Sequence, residues 1–461
     1  MVDQFVSTQS KDVTGKTIYI HVGGNVWIKE FGMGTHSDGA KSTPHVPVSV
    51  TGGEFPGFYL TGTYKADAAV RTDNAECYIS GGYIHEAAGA SLEQINGNVR
   101  WQIYNADIDN FFGGGINDAK PIKGDVTTEI YNSHVTLFCG GPKFGNMQSN
   151  KTVTTHAEGC VFGTYFGAGY GGTSLSKKKY YDKDGDQNWA TLQGYYATND
   201  RGKYFDGNTT QSSQIGKDYG RKGPGVATDF VYEFFVWSSG TTGARLYVLF
   251  AAFSLAQCNN VVSNLKNCTI ENNYYGGGSL GKVAGTATSV LDNCTVKGNA
   301  FGAGFSATLP TLQVRDGGFT TNPKYNSASG MFEPGIFTGT TEFTWKNASE
   351  ASVTLTNGGS GSNLTNHYIY TDQNLSKSNL GSVNTATLTL KGNTTVGTLN
   401  GSSQLVEGTG NVYGGGDEST VGGNTTVILQ GGANILGNVY GGGNNGAVGG
   451  DSEVKIQDPE P

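Results

Sequence analysis

The chain has 461 residues, of which 73 are glycine and only 11 proline, and no Gly-X-Y period runs through it, so a collagen-like rod is excluded. Its 24 Tyr, 22 Phe and 5 Trp, set against only 15% charged residues, exclude a disordered chain. A net charge of −8 without a clustered cationic face excludes nucleic acid as a partner.

The N-terminus, Met1-Val2-Asp3-Gln4, carries no charged stretch followed by an apolar run of the kind that directs export. No apolar stretch approaches the ~18 residues a membrane helix needs, so no membrane span is expected. From Phe112 onward, a short phrase of an aromatic followed by Gly, Gly or Ala, and Gly recurs. Its copies begin at Phe112, Phe138, Phe166, Tyr275, Phe301, Tyr413 and Tyr440. Neighbouring copies lie about 27 residues apart, the signature of a repeat fold.

Strand-like stretches precede the phrase, as in Asn267-Cys268-Thr269-Ile270 and Asn293-Cys294-Thr295-Val296. Others follow it, as in Thr425-Thr426-Val427-Ile428-Leu429. Apolar residues here alternate with Thr, Asn and Ser instead of recurring at three and four, so these are strands and not helices. One such unit cannot bury its apolar face alone. Coiling stacks each strand on its equivalent in the next turn at ~4.8 Å, with glycine at the tight corners. The fold expected is all-β: a right-handed parallel β-helix of roughly 14 turns, about 65–70 Å long.

Four segments are predicted. Residues 1–175 form N-terminal turns and 176–260 an insertion. Residues 261–456 form C-terminal turns, and 457–461 a linker or tail that marks a piece of a longer exported protein. Within the insertion, the apolar stretches Asp229–Trp237 and Ala244–Phe250 flank a Gly/Ser/Thr turn, which predicts a hairpin or one oversized coil. A smaller excursion is expected near 316–345. Of the six cysteines, Cys160, Cys268 and Cys294 share one phase of the repeat, which suits buried free thiols; a Cys268–Cys294 bridge is the alternative.

The glycine-rich phrases themselves, Phe112-Gly113-Gly114-Gly115-Ile116-Asn117, Phe166-Gly167-Ala168-Gly169-Tyr170-Gly171-Gly172 and Asn438-Val439-Tyr440-Gly441-Gly442-Gly443-Asn444, resemble large adhesin-like surface proteins of Bacteroides and Prevotella type gut bacteria. The resemblance spans most of residues 75–310 and 400–456. It implies export and display at the cell surface, and it brings no catalytic residues with it.

Candidate chemistry concentrates in the insertion. Asp182, Asp184, Asp186 and Asn188 place oxygen ligands at alternate positions, the spacing by which a loop wraps a hard cation such as Ca²⁺. Gln187 stands where an EF-hand-type loop has Gly, so a plain acidic turn suits the same residues, and no other cofactor is implied. Tyr170, Tyr180, Tyr181, Trp189, Tyr195 and Tyr196 lie around this loop among Asn, Asp and Gln. Aromatic faces stack on sugars while amides and carboxylates bind hydroxyls, so the cluster reads as a glycan platform or as a loop packing its own rings.

Asp107 and Asp109, two apart on one strand face, are the carboxylate pair that a polysaccharide-cleaving β-helix would use; as solvated outer-face residues they need no such role. The expectation is a non-enzymatic, adhesin-like stalk or binding module at the cell surface, with a glycan or a host surface protein as partner. A polysaccharide lyase or glycoside hydrolase is the runner-up and a structural fibre the third reading. An enzyme predicts clustered acids across adjacent turns, an adhesin exposed aromatics, and a fibre an apolar lateral seam.

Overall fold

A computed structural model describes residues 20–35, 48–60, 74–90, 94–116, 122–175, 256–306 and 380–458 nearly throughout, and elsewhere only short strand segments such as Val2–Thr8 and Glu233–Val236. The described residues contain strands and no helix. They build a parallel β-helix. Strand-forming alternation decides the local structure: in Val99–Tyr104, Val99, Trp101 and Ile103 point into the core while Arg100, Gln102 and Tyr104 point out.

Two long parallel sheets run the length of the stack, and eleven strands follow one another along the main path of each. The first sheet includes Tyr83–Ala90, Asp107–Gly115, His134–Cys139 and Val161–Phe166. The second includes Ala75–Ser80, Val99–Tyr104, Val126–Tyr131, Thr152–Glu158, Asn260–Lys266, Lys282–Asp292 and Val383–Lys391. Val99 pairs with Val126 and Val126 with Val153, which is the 27-residue turn read from the sequence. Isolated parallel bridges Ile95 to Ile122, Val383 to Val421 and Val421 to Val448 mark a narrow third edge.

The corner between the two sheets needs a left-handed residue at every turn. Asn105, Asn132, Asn267 and Asn293 supply it with φ of 51°, 47°, 53° and 53°, and Gly159 does so at 68°. Asparagine tolerates this conformation because its short side chain hydrogen-bonds locally. At the glycine-rich corner the constraint is contact rather than φ: a Cβ on Gly140 would run into the carbonyl of Gly167, and one on Gly302 into that of Gly414.

The core is a set of ladders. Phe111, Phe138, Tyr165 and Tyr274 stack at 5.0, 4.8 and 5.0 Å, all fully buried. A second ladder, Phe166, Tyr275, Phe301, Tyr413 and Tyr440, stacks at 4.8 to 5.0 Å. The register corrects the phase of one sequence repeat. Cys139, not Phe138, pairs with Phe112 and Phe166, so Phe138 belongs to the inner ladder. All six cysteines are buried free thiols, and Cys268 hydrogen-bonds the carbonyl of Lys266 at 3.2 Å.

The second excursion is longer than the sequence suggested. One compact unit holds the β-helix, Met1–Gly171, Leu255–Ala307 and Ser378–Pro461; the other holds Gly172–Ser254 and Thr308–Lys377. Among the described residues eleven turns, rather than fourteen, are stacked over about 50 Å. Within the second unit the expected hairpin forms, Phe234 pairing with Leu249 antiparallel. Strand Glu233–Val236 also pairs with His367–Tyr370, so both insertions contribute to one antiparallel sheet.

Candidate binding groove on the lateral face

Outward side chains of a parallel stack line up in rows, each residue above its register partner. On the second sheet one such row reads Tyr104, Tyr131, Glu158, Lys266, Asp292 and Lys391. The row beside it reads Gln102, Glu129, His156 and Asn264. Tyr78, 40% exposed, leans on Tyr104 with ring centroids 5.4 Å apart, and Tyr104 stacks on Tyr131 at 5.0 Å with planes 13° apart.

The tyrosine ladder stops at Tyr131. One face of that ring is covered by Tyr104, and the next position in the row is Glu158, so the other face has no aromatic neighbour in the register. There a groove of about 280 Å³ opens, lined by Tyr131, His156, Glu158, Asn264, Lys266, Asp292 and Lys391 among others. Partial burial, then the carboxylate of Glu129 and the neighbouring Tyr104, push the Tyr131 phenol above its ordinary range, so it stays a neutral donor at physiological pH.

The charges along the groove are matched. Lys266 Nζ lies 3.1 Å from Glu158 Oε1, and Lys391 Nζ lies 3.4 Å from Asp292 Oδ2. Asn267 also donates to Glu158 Oε1 at 3.4 Å, which leaves Oε2 to accept from a ligand. Asn264 Nδ2 lies 3.5 Å from His156 Nδ1. Upstream, in the neighbouring row, Glu129 receives Arg100 and Gln102, both at 3.0 Å.

The first sheet carries a different outward cluster. His85 spans two carboxylates, Nδ1 3.0 Å from Asp109 Oδ2 and Nε2 3.3 Å from Glu54 Oε1. Tyr83 donates to the same Asp109 oxygen at 2.8 Å, and that bond raises the Tyr83 pKa, with desolvation adding to it. Asp107 faces His134 at 2.8 Å. Asp107 and Asp109 are thus each held by a histidine. Among the described residues no group of His, Cys, Asp and Glu is placed to hold a metal ion.

Of the residues singled out in the sequence, Asp182, Asp184, Asp186, Asn188, Tyr181, Trp189, Tyr195 and Tyr196 lie outside the described residues. Tyr180 ends strand Lys177–Tyr180, which pairs antiparallel with Leu192–Gln193 and with Tyr247–Leu249. Tyr170 is half-buried and packs edge-on against Phe112 at 6.0 Å, beside the lateral aromatic ladder. The groove residues were not singled out. Tyr104 and Tyr131 are 27 apart, the repeat period, which is the one signal that pointed to them. No family model, no curated protein and no solved structure matches the chain. Among the described residues no helix is long and apolar enough to cross a membrane.

Proposed function

We propose that this chain is a surface-displayed, non-enzymatic binding rod of the adhesin-like kind, whose lateral face holds a glycan. The observation that carries the reading is the tyrosine ladder ending at an aromatic face in a groove of polar side chains, Tyr131 with His156, Glu158 and Asn264. An apolar plane with a few convergent polar groups is the chemistry of sugar recognition. A solenoid flank adds length along which an extended chain can lie. Surface display is part of the same reading and rests on the glycine-rich phrases.

A second reading, polysaccharide cleavage, draws on the Glu54–His85–Asp109 cluster, which gathers acids across adjacent turns. Glycosidases leave the space between their two carboxylates to the sugar and its water. Here the imidazole of His85 bridges that space, which favours a structural pairing.

The test is a glycan and host-matrix-protein array probed with the purified chain, coupled to an assay for new reducing ends and unsaturated products. Binding without product is expected. Turnover that Asp109→Asn abolishes would replace the binding reading by the enzymatic one.

A further inference from the structure

We infer that the groove beyond Tyr131 is a subsite for one or two uncharged pyranose units of a longer glycan, an inference that rests on the binding reading above. Three observations converge on that ligand class: size, shape and charge.

Size suits a sugar unit better than a whole protein epitope. The groove measures about 280 Å³. That lies just under the ~300–1,000 Å³ of sites that enclose drug-sized molecules. A protein partner would need on the order of 800 Å² of contact on its own side.

Shape then selects a flat apolar face. Tyr104 and Tyr131 are nearly parallel, so the stacking direction runs along the rod, and a ring continuing that direction past Tyr131 lies over the Glu158 turn. The CH face of a pyranose is such a surface. Its rim of hydroxyls would meet Glu158 Oε2, the Asn264 amide and the His156 ring, which together offer both donors and acceptors.

Charge favours an uncharged sugar. Both lysines at the groove already face a carboxylate, Lys266 with Glu158 at 3.1 Å and Lys391 with Asp292 at 3.4 Å. A uronate at either lysine would meet the carboxylate beside it, and an amino sugar at either carboxylate would meet the lysine beside it, so neither charge finds an uncompensated partner. A neutral sugar needs no such partner, so its affinity owes little to exposed charge and is insensitive to screening.

The experiment titrates the whole chain by calorimetry with neutral cello- and manno-oligosaccharides, oligogalacturonides and chitosan oligomers, each at about 0.05 and 0.5 M NaCl. The array's host-matrix proteins are run in parallel. Wild type, Tyr131→Ala and Tyr131→Phe are compared after circular dichroism has shown all three folded. The expected result is preference for a neutral oligosaccharide and an affinity that changes less than about twofold with salt. Tyr131→Ala should lose about tenfold or more, and Tyr131→Phe should retain binding because the ring face remains. Preference for oligogalacturonides or chitosan with strong salt dependence overturns the uncharged-sugar inference and leaves the glycan-binding reading standing. So does neutral binding that Tyr131→Ala leaves unchanged. Binding to a host protein alone, or to nothing, overturns the glycan reading and this inference with it.

Discussion

Replacing Phe138 by alanine removes a ring that is fully buried between Phe111 at 5.0 Å and Tyr165 at 4.8 Å, with Phe162 edge-on at 5.2 Å. Large-to-small changes of this kind cost ~3–5 kcal/mol, the upper part of the range applying where the surroundings cannot collapse. Here the turns on either side are tied by the parallel ladder through Val135, Phe138 and Cys139, so the void stays open. About 4 kcal/mol is expected. With a urea m-value of ~2–3 kcal/mol per M, the unfolding midpoint falls by about 1.3–2 M. Near- and far-UV circular dichroism should both be followed, because repeat proteins can unfold in parts. Tyr131→Ala, on the outer face, serves as control and should cost no more than about 1 kcal/mol. A Phe138→Ala shift no larger than that of the control would refute the inner ladder and the register that builds it.

Other perturbations read other parts of the molecule. Asn132→Val forces a β-branched residue to φ 47° and should destabilise by ~1–2 kcal/mol, whereas Asn132→Gly should stay within about 0.5 kcal/mol in the same urea assay. Gly140→Ala drives a methyl into the Gly167 carbonyl and should cost ~1–3 kcal/mol, read as a lowered urea midpoint with unchanged binding at Tyr131. The six thiols should be silent to a thiol-reactive dye in the native protein and all react in guanidinium, since burial seals them and pushes Cys258 up to about 12. Burial also raises Asp417 above the ordinary carboxylate value of 3.8, against the hydrogen bonds from Asn444 and Tyr275. A raised carboxylate binds its proton more tightly in the folded state. Its contribution therefore favours folding at low pH and is lost as pH rises from 3.8 through the raised value. Asp417→Asn should flatten that part of the stability-versus-pH curve.

The fold was legible because its period is written in glycine. The aromatic-Gly phrase and the Asn-Cys-Thr phrase repeat at the spacing that the strand register then shows, from Val99 to Val126 to Val153. At Phe138 the repeated phrase and the strand register differ by one position, because a cysteine fills the slot that Phe112 and Phe166 occupy in the neighbouring turns. The turn count ran high for a different reason. Insertions at Gly172–Ser254 and Thr308–Lys377 pair with one another, and nothing local in either announces a partner so far along the chain.

The groove was hidden by the same insertions. Tyr131, Glu158, Lys266, Asp292 and Lys391 share one outward row, yet Glu158 and Lys266 lie 108 residues apart and Asp292 and Lys391 lie 99 apart. Only the register across both excursions makes them neighbours. His85 with Glu54 and Asp109 was obscured in the same way, since a histidine and two carboxylates on three different turns carry no fixed spacing.

The most direct test of the binding account is amide hydrogen exchange on the purified chain with and without a saturating oligosaccharide identified on the array. Slowed exchange confined to 126–131, 152–158 and 260–266 is the result expected of a ligand seated on Tyr131. Protection centred instead on 83–85 and 107–109, accompanied by cleavage of the sugar, would contradict it and assign the working face to the first sheet.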